Sequence, residues 1–346
     1  MTDKHWEDLK KVVNGEKINP IPMGFIVDCP WLPQWYGISI IDYFSSNEQW
    51  FKSNLKAIND FGDAMFLPGF WSEYGMCTEP SAFGSKCSFP ANEFPHAHKV
   101  INTTDDIQNL DVPNPEIDGL LPLMLTRLKL MQPAIEAEGH KIRFSVSRGP
   151  LNIACYLMGT TEFLTTLMMD PDSAHLLIRK ITDFLKQWHK IQRDTFPTID
   201  GIFILDDIIG FIGEDDFLNF GLPYFKELFD TDLSIRFLHN DAACESSVKY
   251  LPEMGVNLFN MAFDTNLNEL KELTNNRVAM LGNIPPRDVL AQGSPDDVAK
   301  AVNQLLDSLH STTNIILSCG GGVPMGVSTE NMQAFVQAVK NYKKQG

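Results

Sequence analysis

Eight short apolar segments recur along the chain, and each is followed by a polar loop and a stretch with helical spacing. Most are nearly continuous in apolar residues, which is typical of strands buried on both faces. The predicted strands are 23–27, 64–67, 143–146, 201–205, 234–238, 256–259, 277–281 and 314–317. This strand–helix alternation predicts an α/β fold of the (β/α)8 TIM-barrel type.

The segments between the strands have the apolar period of amphipathic helices. We expect Asp172 and Ser173 to cap a long helix, Ser294 to begin another and Ser328 to begin the last. A doubly wound open sheet is the main rival, but no G-x-G-x-x-G turn follows the first strand to favour its dinucleotide-binding form. One domain over residues 1–346 is the simplest interpretation.

Two segments are longer than the connections that a minimal barrel needs. Residues 73–100 are predicted to form an inserted loop or hairpin after the second strand, and residues 150–198 three helical stretches after the third. The insertion contains His96 and His98, a possible metal pair that we interpret as part of an exposed loop.

Composition and charge limit the classes of function. The hydrophobic content of 44% supplies ample core, and 44 acidic against 28 basic residues give a net charge of −16. This charge repels phosphate backbones and anionic membranes, which argues against nucleic-acid and membrane binding. Neither an N-terminal signal nor a long apolar run is visible, and six scattered cysteines form no disulfide framework, so we expect a cytoplasmic protein.

Potential metal ligands follow two predicted strands. His239 and Asp241 follow the fifth strand, and Cys319 ends the eighth, directly before three glycines. Taken singly, His239 is better explained as a buried, hydrogen-bonded histidine and Cys319 as an inert core thiol. Together they place a nitrogen, a carboxylate and a sulfur at one edge of the fold, a ligand set that zinc accepts.

Other polar residues also stand at strand ends, where barrel enzymes carry their chemistry. Asp206 and Asp207 are candidates for a catalytic carboxylate beside a helix cap, or simply for two acids that start a loop. The predicted substrate-binding residues are Asp28, Trp31, Trp35, Arg148 and Asn283. The tryptophans are predicted to line an organic-ligand pocket, although a packed loop explains them equally well.

Several segments resemble the uroporphyrinogen decarboxylase superfamily. They are Gly282-Asn283-Ile284-Pro285-Pro286, the glycine loop 317–324 with the helix start after it, and the Gly-Pro-Leu…Gly segment 149–159. The resemblance covers nearly the whole chain and is weakest over residues 29–120. It implies a (β/α)8 barrel, in agreement with the strand count.

Two departures from the family pattern bear on the activity. True decarboxylases of the family carry an arginine-rich stretch at the first strand end, where this chain has Asp28 and no arginine, so porphyrinogen decarboxylation is disfavoured. The zinc-dependent, corrinoid-linked methyltransferases of the family use His-x-Cys and a later cysteine as ligands. His239 and Cys319 match that pattern, and Asp241 replaces the middle cysteine with another zinc-compatible donor.

The resemblance implies a zinc-dependent methyltransferase that moves a methyl group between a small substrate and a corrinoid (cobalamin) carried by a partner protein. The substrate would be of the methyl ether, methylamine or thiol type, and Asp206 or Asp207 would act as general acid or base. One alternative is a metal-free decarboxylase-type lyase with Arg148 as its carboxylate anchor. Another is a non-catalytic barrel that binds a corrinoid or another small ligand.

Overall fold

A computed structural model describes residues 1–342 of the chain. Its strands are β1 (Gly24–Ile26), β2 (Met65–Leu67), β3 (Cys87–Ser88), β4 (His96–Ala97), β5 (Phe144–Arg148), β6 (Gly201–Leu205), β7 (Ile235–Asn240), β8 (Leu258–Met261), β9 (Ala279–Ile284) and β10 (Ile315–Cys319). The principal helices are Asp3–Val13, Trp31–Tyr36, Ile40–Ser45, Asn47–Asp60, Thr78–Ala82, Thr104–Asn109, Leu121–Ala137, Pro150–Met158, Thr160–Met169, Pro171–Thr195, Leu222–Phe229, Leu251–Met254, Leu267–Leu273, Pro295–Ser308 and Thr329–Asn341. All eight predicted barrel strands are present as β1, β2 and β5 to β10.

The parallel strands follow one another in chain order. Strands β5 to β10 form one sheet in which each strand pairs with the next, and β1 pairs with β2. Two parallel bridges, Met23 with Leu317 and Ile26 with Gly322, place β1 beside β10. An order without reversal excludes the doubly wound sheet, which needs a switch point.

Strand β5 has an edge that another strand does not cover. No ladder joins β2 to β5 in the described part of the chain, so complete closure of the barrel stays a prediction. The side-chain amide of Gln192 instead pairs with the edge of β5, accepting from the Val146 N–H at 2.9 Å and donating to the Val146 carbonyl at 3.0 Å. Two residues further along β5, Glu79 accepts the Arg148 N–H at 3.1 Å. Side chains therefore satisfy backbone groups that a neighbouring strand would otherwise pair.

The side chains that point inward from the eight strands form one apolar core. Phe203 and Phe237 stack at its centre, with ring centroids 4.2 Å apart. The other strand residues of this core are Ile26, Met65, Leu67, Phe144, Val146, Leu205, Ile235, Leu258, Ala279, Leu281 and Ile316. Trp6 and Leu9 of the first helix join the core from the amino-terminal end of the strands, so that the carboxyl-terminal ends remain available for a site.

The two segments that exceed a minimal barrel have the predicted form. Strands β3 and β4 form an antiparallel hairpin within the 73–100 insertion, where His98 Nε2 contacts Ser88 Oγ at 2.7 Å. Three helices fill residues 150–195. The predicted cap of the third was wrong by two positions: the helix begins at Pro171, and Asp170 accepts from the Ser173 N–H. A proline is favoured at the first helical position, because its missing N–H needs no partner there.

Ser294 and Ser328 cap their helices as predicted. Across residues 1–342, no helix combines the length and the apolarity that a membrane crossing requires.

Candidate active site

A cavity of about 780 Å³ lies at the carboxyl-terminal ends of the strands. Five of the predicted site residues line it: Asp28, Arg148, Asp207, His239 and Asp241. Apolar walls come from the 73–100 insertion and from the loop after β10, through Met76, Phe94, Val323, Pro324 and Met325. The volume lies within the range of small-molecule sites and gives room for an organic ligand.

His239 is held in one orientation by a residue of the neighbouring strand. Its Nδ1 lies 2.7 Å from Asn260 Oδ1, and the Asn260 amide nitrogen donates to the Leu281 carbonyl at 2.7 Å. Because that donation leaves the Asn260 oxygen facing the ring, Nδ1 carries the proton of the neutral imidazole. The lone pair of Nε2 is therefore directed into the cavity, ready to bind a metal ion or accept a proton.

Asp207 connects the loops after β6 and β7. Its Oδ1 accepts the Asp241 N–H at 2.7 Å and lies 3.6 Å from His239 Nε2. Since Asp207 is only half-buried and lines the cavity, it is available for general acid or base chemistry. His239, Asp207 and Asp241 thus form one cluster, although they come from two strands.

Asp206 points away from the cavity, so the expectation that it takes part in catalysis is not supported. Its carboxyl group accepts the N–H groups of Leu151 at 2.9 Å and Asn152 at 3.2 Å, at the start of the helix Pro150–Met158. Burial raises its pKa to about 8, and these backbone donors oppose that shift. Asp206 therefore caps the helix Pro150–Met158, although it belongs to a different part of the sequence.

Cys319 is fully buried and does not line the cavity. Its sulfur faces the carbonyl oxygens of Gly321 and Gly322 at 3.8 and 3.7 Å, and burial raises the pKa of the thiol to about 12. Asp241 lies against the same loop, because a Cβ added at Gly321 would lie 2.5 Å from Asp241 Oδ2.

A zinc ion fits this donor set in part. The free Nε2 of His239 and the carboxylate of Asp241 line one cavity and are donor types that zinc accepts. Over residues 1–342, however, no three His, Cys, Asp or Glu side chains are grouped so as to hold a metal ion. The thiol of Cys319 completes the set only if it turns away from the glycine carbonyls and loses its proton.

Arg148 lines the cavity within a buried acidic group. Its guanidinium donates to Glu73 Oε2 at 3.0 Å and stacks over the ring of Trp71 at 5.3 Å. Although burial alone would lower its pKa, Glu73 and Glu79 hold the pKa of Arg148 above its ordinary value. Much of its charge is thus already balanced within the protein.

Three predicted substrate-binding residues lie elsewhere. Trp31 is fully buried and donates to the Val327 carbonyl at 3.0 Å, and Trp35 donates to Thr329 Oγ1 at 2.9 Å. Asn283 donates to backbone carbonyls of the loop after β8, including that of Thr265 at 2.8 Å. Each side chain is used to anchor a neighbouring loop or helix, so none of the three lines the cavity.

The sequence interpretation missed several residues of the site. Glu73 and Glu79 lie in the insertion, where no strand end marks them, and Tyr156 enters the cavity from the helix after β5. Asn260 directly follows the predicted strand 256–259, and the sequence pattern gives it no role. The available signal was that Asn260 and His239 stand at the ends of two successive strands. The structure pairs the two residues across β7 and β8.

Comparisons with known proteins agree with this architecture. A family model described as uroporphyrinogen decarboxylase (URO-D) matches residues 6–342. A uroporphyrinogen decarboxylase from Pseudoalteromonas atlantica is 25% identical over 286 residues, covering 78% of this chain and 77% of its own length. Another, from Mannheimia succiniciproducens, is 24% identical over 285 residues with the same coverage.

Two solved structures share the fold. A methyltransferase from Methanosarcina mazei superposes with a TM-score of 0.79 at 18% identity, and 96% of each chain is covered. A B12-independent methionine synthase from Shewanella superposes with a TM-score of 0.57 at 10% identity, covering 92% of this chain and 98% of its own. Together with the match over residues 6–342, this shows that the chain belongs to the uroporphyrinogen decarboxylase family.

Proposed function

We propose that this chain is a zinc-dependent methyltransferase that moves a methyl group between a small substrate and a corrinoid carried by a partner protein. The observation that carries the proposal is the cluster of His239, Asp207 and Asp241 in a cavity large enough for an organic ligand. The methyltransferase from Methanosarcina mazei supports it through a shared fold over 96% of both chains.

His239 and Asp241 are the ligands that would hold the zinc ion, with Cys319 as the third. Zinc bound there would lower the pKa of a bound thiol or draw charge from a methoxy oxygen. Asn260 keeps the Nε2 lone pair of His239 directed at the cavity. Asp207, whose Oδ1 is 3.6 Å from that nitrogen, would give or take the proton that accompanies methyl transfer.

The remaining lining residues select and position the substrate. Met76, Phe94 and Met325 provide apolar contact, while Asn152, Tyr156 and Gln292 offer polar groups for orientation. Such a lining suits a small organic molecule that has both apolar and polar groups. Met325 is half exposed at the cavity, where a separate corrinoid protein would have to approach.

A lyase of the decarboxylase type is less well supported by the cavity. Such chemistry needs a cation that is free to bind the substrate carboxylate. The Arg148 guanidinium already donates a hydrogen bond to Glu73, and Glu79 is also close enough to raise the pKa of Arg148. A substrate carboxylate would have to compete with these two acids at Arg148. At Arg287, the other arginine that lines the cavity, it would have to compete with the nearby carboxylate of Asp241.

Metal analysis and methyl-transfer assays test the proposal together. Plasma mass spectrometry on tag-free protein should find about one zinc per chain after reconstitution, and His239→Ala, Asp241→Ala and Cys319→Ala should lose it. Cys244→Ala is the matched control, because Cys244 is also buried and burial raises its pKa to about 12. Full methyl-transfer activity in metal-free protein would refute the proposal, as would decarboxylation that is insensitive to chelators.

A further inference from the structure

A second group of ionisable residues lines the cavity apart from the His239 cluster. Asp28 and Arg148 are among the cavity residues, and Glu73 and Glu79 lie behind Arg148 with only 3% of their surface exposed. This group, called here the Arg148 cluster, contains three carboxyl groups and a single guanidinium. If every member were ionised, the cluster would carry two uncompensated negative charges in a largely buried place.

The hydrogen bonds within the Arg148 cluster satisfy only some of its carboxyl oxygens. Glu73 receives one bond from the guanidinium at 3.0 Å, and Glu79 receives one from the Arg148 backbone at 3.1 Å. Glu73 Oε1 and Glu79 Oε2 are buried, and neither has a hydrogen-bond partner among the described residues. Within residues 1–342 no hydrogen bond to the Asp28 carboxyl group is found. Asp28 is therefore the acid that the protein compensates least.

The other groups near Asp28 do not stabilise its ionised form. Cys29 and Tyr43 are buried neighbours whose pKa values are raised, chiefly by burial, so both stay neutral. Glu73 repels a charge on Asp28, and Arg148 attracts it but is shared with Glu73, Glu79 and Tyr156. Although the Asp28 side chain is only half-buried and opens to the cavity, desolvation by the surrounding protein is the largest contribution and raises the pKa of Asp28 well above its ordinary value.

We propose that Asp28 keeps its proton at neutral pH and donates a hydrogen bond to an acceptor oxygen of the substrate. Arg148 lines the same cavity, and its guanidinium has N–H groups beyond the one that donates to Glu73, so both side chains have donors to offer a ligand. The substrate class that fits is a small molecule with a neutral acceptor oxygen, such as an ether or an alcohol. An ionised Asp28 would instead favour a methylammonium cation. The choice of substrate rests on the proposed function, whereas the protonation of Asp28 does not.

Infrared spectroscopy tests the proton directly. The difference spectrum between wild type and Asp28→Asn at a pH of about 7, above the ordinary aspartate range, should contain the carbonyl stretch of a protonated carboxyl group, shifted in D2O. Asp42→Asn is the matched control, because Asp42 is exposed and its removal should affect only carboxylate bands. A difference spectrum for Asp28→Asn that contains only carboxylate bands would overturn the proposal.

Glu73→Gln tests whether the cluster is the cause. Removing the charge of Glu73 leaves Arg148 free to stabilise the Asp28 carboxylate, so the Asp28 carbonyl band should disappear at a lower pH, by about one unit or more. Circular dichroism establishes that the variant is folded. An unchanged midpoint in folded protein would mean that Glu73 and Arg148 do not control the proton.

A pair of probes of similar shape tests the ligand class. Benzyl methyl ether should bind at least about tenfold more tightly than benzylammonium in calorimetry, a ratio that corresponds to about 1.4 kcal/mol. Asp28→Asn should retain the ether, because the amide is still a donor. Tighter binding of benzylammonium, or no binding of the ether, would overturn the ligand class. Failure of methyl transfer with an intact infrared band would count against the proposed function alone.

Discussion

Gly321 and Asp241 lie so close together that the glycine has no space for a side chain. A Cβ at position 321 would meet Asp241 Oδ2 at 2.5 Å, and the φ angle of Gly321 is +68°. The carboxylate of one loop therefore rests on the backbone of the loop that follows Cys319. This contact positions the Asp241 carboxylate, and the Asp207 bond to its N–H positions its backbone.

Gly321→Ala should displace the Asp241 carboxylate and weaken zinc binding, as measured by metal titration. The left-handed backbone also costs about 1–2 kcal/mol for a non-glycine residue. Gly37→Ala separates the two effects, because Gly37 has a φ of +86° and nothing within 4 Å of an added Cβ. Both variants should lose similar stability in urea, and only Gly321→Ala should lose zinc. Equal zinc affinity in the two variants would refute the role of the contact.

Asn260→Ala should leave the His239 ring free to rotate, and it removes the acceptor that keeps the ring proton on Nδ1. Residues that orient a metal ligand typically contribute 10–100-fold to metal affinity or activity, and we expect a loss of about that size in both, with little change in the affinity for substrate. Asn303→Ala is the control, because Asn303 is exposed on the helix Pro295–Ser308. If Asn260→Ala kept wild-type zinc affinity, the orientation of His239 would not depend on this bond.

Gln192→Leu should destabilise the fold at the edge of β5. It would leave the Val146 N–H and carbonyl without partners in a buried place, which we expect to cost about 2–4 kcal/mol in free energy of unfolding. Gln187→Leu on the same helix is exposed and should change stability by no more than about 0.5 kcal/mol. Urea denaturation compares the two, and similar stabilities would mean that water or a backbone shift satisfies Val146.

Asp206 should make stability depend on pH. Burial raises its pKa to about 8 in the folded protein, against about 3.9 for an unfolded aspartate. Between these values the folded state binds more protons than the unfolded state, so the stabilising effect is fully present below about pH 4 and declines as the pH rises to about 8.

Asp206→Asn removes this titration. The stability of the wild type relative to the variant should therefore fall by up to about 1.4 kcal/mol per pH unit between about pH 5 and 7. Urea denaturation across this range measures the slope. A difference that is independent of pH would show that Asp206 is ionised in the folded protein, held by the N–H groups of Leu151 and Asn152.

Much of the fold could be predicted because strand burial leaves a local trace. Each of the eight strands is a short apolar run, and the polar residue at its end follows directly in the sequence. Parallel strands bring these ends to one edge, so the meeting of Asp207, His239 and Asp241 in one cavity required no knowledge of the loops. Family membership was likewise readable from the glycine and proline segments of the second half.

Asp206 and Asp207 show where local pattern stops being sufficient. They are adjacent acids of the same chemistry, and their roles differ because successive residues point in opposite directions. Only the packing of the helix Pro150–Met158 against this loop decides that Asp206 receives backbone N–H groups and Asp207 faces the cavity.

The eight strands, their order along the chain and the residues of the His239 cluster thus follow from the sequence. Hydrophobic period is a local property, and strand direction fixes the end at which the following polar residues lie. Three features follow only from the tertiary structure. They are the side-chain directions of Trp31 and Trp35, the orientation of the Cys319 sulfur toward the glycine carbonyls, and the bonding of Gln192 to the edge of β5. Each of these depends on a partner that is distant in sequence, or on the path of a loop. Such contacts are fixed by packing and hydrogen-bond satisfaction over the whole fold, and no local pattern records them.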